Sequence, residues 1–118
     1  MVDPTCLAAF DVAMTPADTR GFLELYLRQA AARMIRIQEL SAEGRLDAVA
    51  REAHSLICAA GNVGAERVSD LARSIESACR AGNPDDATRF VEELTDVSRI
   101  TATALRAWLA DRASEVAH

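Results

Sequence analysis

Between residues 16 and 113 the chain carries four runs of apolar residues spaced three and four apart, with glycine-marked breaks at Gly44, Gly64 and Gly82 between them. That spacing is the period of an α-helix with one buried side, and no stretch alternates at the period of two that a strand needs. The first run starts at Thr15-Pro16-Ala17-Asp18, where Thr15 can cap, Pro16 suits the first helical position and Asp18 stands where a capping-box acid belongs. Its stripe is Leu23, Tyr26, Leu27, Ala30, Met34, Ile37 and Leu40. The second runs from about Leu46 to Val63 through Val49, Ala53, Leu56 and Ala60, with Gly64 as a left-handed C-cap. The third carries Val68, Leu71, Ala72, Ile75 and Cys79 and stops at Gly82. The fourth opens at Asn83-Pro84, with Asp85 and Asp86 in its first turn, and carries Phe90, Val91, Leu94, Val97, Thr101, Ala104, Leu105 and Trp108. Ahead of them, Asp3-Pro4 can start a two-turn helix. These patterns predict an all-α fold, an up-down-up-down antiparallel four-helix bundle with a short N-terminal helix. Residues 1–118 are expected to form one domain: the short helix over 1–14, the bundle over 15–113 and a frayed tail at 114–118.

A domain of 118 residues buries about two thirds of its unfolded surface, so it needs no metal or disulfide to fold. Half the residues are apolar but only five are aromatic, which favours close packing through alanine and leucine. The net charge of −5 argues against a nucleic-acid partner, which wants a basic face. All thirteen basic residues are arginine. Cys6, Cys58 and Cys79 show no paired spacing, the N-terminus lacks the pattern of a secretory signal, and no apolar run approaches the roughly 20 residues of a membrane span. The expectation is a reduced, cytoplasmic monomer with no membrane contact, its cysteines serving mostly as small core residues.

Apart from the terminal His118, the chain has one histidine, in the stretch AHSLICAAGNVGA. At about 100° per residue, His54 lies roughly 130° from the centre of its helix's apolar seam, on the outward side. Within about 60° of it fall Asp47, Ala50, Arg51, Ile57, Cys58 and Gly61. An ordinary exposed helix face is filled with charged residues; this one is mostly small or apolar, and Gly61 costs about 1 kcal/mol against alanine inside a helix. Room for an approaching partner is a physical motive for such a patch. An exposed imidazole, largely neutral near pH 7, is a competent nucleophile. The chain offers no nucleophile–base pair, phosphate loop or carboxylate pocket beside it, so any reaction at His54 must borrow its machinery from a partner.

The segment AHSLICAAGNVGAERVSDLARSIESACRAGN resembles the histidine-containing phosphotransfer (HPt) domain of multistep two-component signalling. The matching features are Ala53–His54, Leu56, Ala59 and Ala60, Gly64–Ala65, Leu71, the Ile75–Glu76 pair and the spacing of apolar residues from Phe22 to Gly44. The resemblance implies that His54 accepts a phosphoryl group from the phospho-aspartate of a receiver domain and passes it to another. It implies as partners response-regulator receiver domains and a hybrid sensor histidine kinase. The receiver would supply the aspartate, the magnesium and the catalytic groups. The chain would be a carrier with no turnover and no cofactor of its own. Asp47, Ala50, Arg51, Ile57, Cys58 and Gly61 would form the docking face.

The family usually places Lys three residues after the histidine and Gly at the fourth; here Ile57 and Cys58 stand there. Arg51, one turn before His54, is the expected substitute cation. The departures leave open an alternative: a docking or adaptor module of the same fold that binds a receiver or kinase without efficient transfer. Two other classes fit less well. His54 and Cys58, four apart, are a fragment of a metal site where structural zinc wants four ligands. Glu92 and Glu93 read as a solvated face rather than a carboxylate pair of a di-metal bundle.

Overall fold

The computed structural model describes residues 2–116, apart from the side chains of residues 10–13 and 113–116. It is all-helical among those residues, with α1 Pro4–Ala13, α2 Pro16–Ala42, α3 Leu46–Asn62, α4 Glu66–Arg80 and α5 Pro84–Val116. The punctuation acts as its chemistry requires. Asp3 accepts the Thr5 N–H at 2.9 Å, and Thr15 Oγ1 accepts the Asp18 N–H at 3.1 Å. Asn83 Oδ1 accepts the Asp86 N–H at 3.1 Å while its amide donates to the Asp86 carboxylate at 2.8 Å. Helix α3 and helix α4 begin without a side-chain cap, so packing rather than capping sets their starts. Helix α5 continues to Val116, past Ala113 where fraying was expected. Residues 117 and 118, the end of that tail with His118, lie outside the described residues.

Helices α2, α3, α4 and α5 close a ring of neighbours, with α3 on α4 the most extensive contact. Their stripes meet in one core, in which Leu23, Ile37, Leu56, Ile75, Leu94 and Leu105 are fully buried. Each such side chain contributes about 1.5–3 kcal/mol of hydrophobic stabilisation. Arg20, early in α2, donates to the Leu109 carbonyl late in α5 at 3.0 Å; Gln38, late in α2, donates to Thr95 in the first half of α5 at 3.0 Å. The molecule is a rod of 53 × 20 × 18 Å. No helix among the described residues is long and apolar enough to cross a membrane.

Helix α1 is pinned where α3 turns into α4. The Asp3 N–H donates to the Gly64 carbonyl at 2.7 Å, and the Cys6 thiol points at the Asn62 carbonyl at 3.7 Å. Gly64 has φ +74°, and a Cβ there would come within 2.8 Å of the Cys6 Cβ. Glycine is needed twice over, for the left-handed turn and for the approach of α1.

Candidate functional site

Helix α3 carries His54 on the rim it shares with α4. The imidazole side chain is 64% exposed, and its Nδ1 lies 2.8 Å from Oε2 of Glu76 on α4. The approach is close but off the donor axis: Oε2 is shut off from solvent and has no aligned hydrogen bond. Arg80, one turn further along α4, brings its guanidinium to 3.7 Å from the same oxygen. A row of imidazole, carboxylate and guanidinium thus crosses from α3 to α4. The Nε2 edge of the ring has no partner among the described residues. The contact is an ion pair only when the ring is protonated; a neutral ring with its hydrogen on Nδ1 can turn to donate it to Glu76, which leaves the Nε2 lone pair outward.

The two helices are held in register beneath this row. Ala50, Ala53, Ala60, Ala65, Ala72 and Ala78 are buried, and Ser69, also buried, donates its hydroxyl to the Ile57 carbonyl at 3.2 Å. At the lower end of the hairpin the Cys79 thiol has a raised pKa, chiefly because it is buried; Arg80 opposes that and Asp47 adds to it. Both charged groups therefore act on the same end of the α3–α4 contact.

Of the residues expected to surround His54, Asp47, Arg51, Cys58 and Gly61 are exposed. Arg51 makes no ion pair among the described residues, and a Cβ added at Gly61 would meet nothing within 4 Å. Ala50 and Ile57 do not join them. They are only 3% and 9% exposed and belong to the core. The buried arc of α3 is wider than its seam because the helix touches both α2 and α4, and on the α4 side it reaches to within about 40–60° of His54. Ile57 therefore packs at the rim of the seam rather than standing out toward a partner. On the opposite flank, Glu52 accepts from Arg33 at 3.1 Å and from Arg36 at 2.9 Å, which ties α3 to α2. Cys58 is exposed beside His54 whereas Cys79 is buried, so the three do not share one face. Among the described residues no group of three or more His, Cys, Asp or Glu side chains could hold a metal ion. Glu92 and Glu93 are exposed on α5.

Sequence reasoning did not single out Glu76 and Arg80 as site residues. The Ile75–Glu76 pair was visible in the resemblance, but only the packing of α4 on α3 shows that its acid reaches the histidine.

A solvent-facing imidazole backed by a carboxylate, on a bundle helix with an open approach, is the arrangement to set against known families. The family model for the Hpt domain matches residues 21–115. The chain belongs to the Hpt domain family. No curated protein and no solved structure matches it. Hpt domains are phosphocarrier modules of two-component phosphotransfer that interact with receiver domains and kinases. The matched span covers all four long helices nearly to their ends and leaves α1 outside.

Proposed function

We propose that His54 is the phosphoryl acceptor of a phosphorelay, loaded from the phospho-aspartate of one receiver domain and unloaded onto the aspartate of another. The observation that carries this reading is the imidazole held open to solvent with its Nδ1 beside Glu76. In the transfer the P–O bond to the aspartate breaks and an N–P bond forms at Nε2, while the carboxylate leaves with the electron pair. The Nδ1 hydrogen stays on the ring, which becomes cationic as the bond forms. Glu76 faces that charge and fixes the tautomer, as an orienting carboxylate does for other reactive histidines. Rotation about the soft Cβ–Cγ torsion aligns the pair. Catalysis is positioning plus neutralisation of phosphoryl charge. The receiver supplies magnesium and its own catalytic groups; this chain acts as a carrier.

With Ile57 buried, the cation near the phosphoryl group has two sources. Arg80 stands behind Glu76 on α4, and Arg51 stands one turn before His54 on α3. Asp47, Cys58 and Gly61 complete the docking face, with Cys58 narrowing an approach that glycine would leave wider. An up-down-up-down antiparallel course of α2 to α5 fits the pairing of opposite ends of α2 and α5, and a hybrid kinase working in the cytoplasm fits the partner chemistry.

The test is incubation with a phosphorylated receiver domain. The expected product is acid-labile, base-stable phosphate on the chain that is lost in His54→Gln. Binding of the receiver without any such phosphate would replace the relay with the docking-module reading. Arg51→Ala and Arg80→Ala, compared for transfer rate, identify which guanidinium takes the place of the lysine.

A further inference from the structure

Helix α2 has a second stripe. Opposite its buried side, Leu25, Arg28, Ala32, Ile35, Glu39 and Ala42 follow one another in alternating steps of three and four, and every one is exposed. At about 100° per residue the centre of this stripe lies roughly 180° from the centre of the buried one. Alternating threes and fours make the seam of a two-helix coiled contact. Ile35, 57% exposed, and Leu25, 44% exposed, are among the most exposed large apolar side chains described. Ala32 and Ala42 are short enough to let another backbone come close. Two charges stand within the seam, Arg28 and Glu39, and neither forms an ion pair within the chain among the described residues. Elsewhere on α2, Arg20, Arg33 and Arg36 all find carboxylates.

We propose that this face docks on the same face of a second copy of the chain, α2 against α2 in antiparallel orientation, about a two-fold axis between Ala32 and Ile35. In that register Arg28 of each copy meets Glu39 of the other. Ala32 packs on Ile35 and Leu25 on Ala42, each contact made twice. The parallel alternative stacks Arg28 on Arg28 and Glu39 on Glu39, so charge selects the antiparallel pairing. A surface that complements itself through a two-fold axis needs no partner of different sequence. The monomer expected from the sequence gives way to a weak, reversible dimer, because one stripe of one helix buries less than a standard interface.

The contact leaves the histidine free. Glu52 on α3 points to α2, whereas His54, two residues on, meets α4. A dimer joined through the outer side of α2 therefore presents two open imidazoles.

Sedimentation equilibrium of the full chain from about 10 μM to about 1 mM, the range in which so small an interface associates, tests this. The mass is expected to rise from 12.7 kDa toward twice that value, and Ile35→Glu to hold it at the monomer. Arg28→Glu alone and Glu39→Arg alone are each expected to weaken association by about tenfold, since each turns two attractions into repulsions. The double reversal should restore it. These positions are exposed, so helicity measured by circular dichroism should not change. A mass fixed at the monomer value throughout overturns the proposal. So does association that survives Ile35→Glu or that either single reversal leaves unweakened, and so does failure of the double reversal to restore it.

Discussion

Buried alanines gather on and beside α3 and α4, at 50, 53, 60, 65, 72 and 78, with a serine at 69 and larger residues such as Leu56 and Ile75 among them; α2 and α5 bury more long side chains, with Leu23, Tyr26, Leu27, Met34, Leu105 and Leu109. Short side chains let two helices approach until a serine hydroxyl reaches the neighbouring backbone and a glutamate reaches the neighbouring histidine. Between α2 and α5 there is room for a groove of about 230 Å³ lined by Tyr26, Ala30, Met34, Ser98 and Ala102, among others. Those helices are joined across it by the longer reach of Arg20 and Gln38. Alanine is concentrated on the helices that carry the ring and its carboxylate, and leucine predominates on the other two.

The sharpest way to break this comparison is to cut an equal cavity in each region. Leu56→Ala in α3 and Leu105→Ala in α5, both fully buried, are each expected to cost about 3 kcal/mol of unfolding free energy in urea titrations. Only Leu56→Ala should also slow phosphoryl transfer, because it loosens the helix that carries His54. Equal transfer rates in the two variants would remove the distinction. Next in size is Glu76→Gln. It keeps shape and packing but loses the charge, and it is expected to lower the transfer rate by roughly 10–100-fold, the scale seen when the orienting partners of metal-ligating histidines are removed. Unfolding titrations should find its stability within about 1 kcal/mol of wild type. A variant that transfers normally shows that Glu76 only packs.

The long pair gives a third test. Burial pushes the Tyr26 phenol up to about 12 from its ordinary value near 10. The folded state then holds that proton more tightly than the unfolded chain. Its contribution is complete below about pH 10 and is lost as pH rises toward 12. Against Tyr26→Phe, the wild type should lose roughly 1–2 kcal/mol of stability near pH 11, read from urea midpoints at each pH. Parallel pH profiles would show the phenol to be solvated. The smallest effect belongs to Gly61, where an added Cβ meets nothing. Gly61→Ala should raise stability by up to about 1 kcal/mol through helix propensity and weaken receiver binding. Binding unchanged in a titration with the receiver would take Gly61 out of the docking face.

Much of the fold was legible because its determinants are local. Thr15 and Asn83 cap where a side-chain oxygen should, and Gly44, Gly64 and Gly82 take the positive φ that ends each helix. The outward direction of His54 followed from counting residues around one helix. What failed was knowledge of the neighbours. Ala50 and Ile57 sit beside His54 on a helical projection, yet α4 covers them. The same packing supplies Glu76, twenty-two positions away, whose role depends on the register between two helices. A helical wheel locates a side chain on its own cylinder; it does not show where a second cylinder is tangent to it.

The clasp between Asp3 and Gly64 has a practical corollary. It anchors the start of the described chain about ten residues, or roughly 15 Å of helix rise, from the His54 position. A paramagnetic tag placed just ahead of α1 would therefore broaden the imidazole resonances of His54, and relief of that broadening would report when the clasp opens.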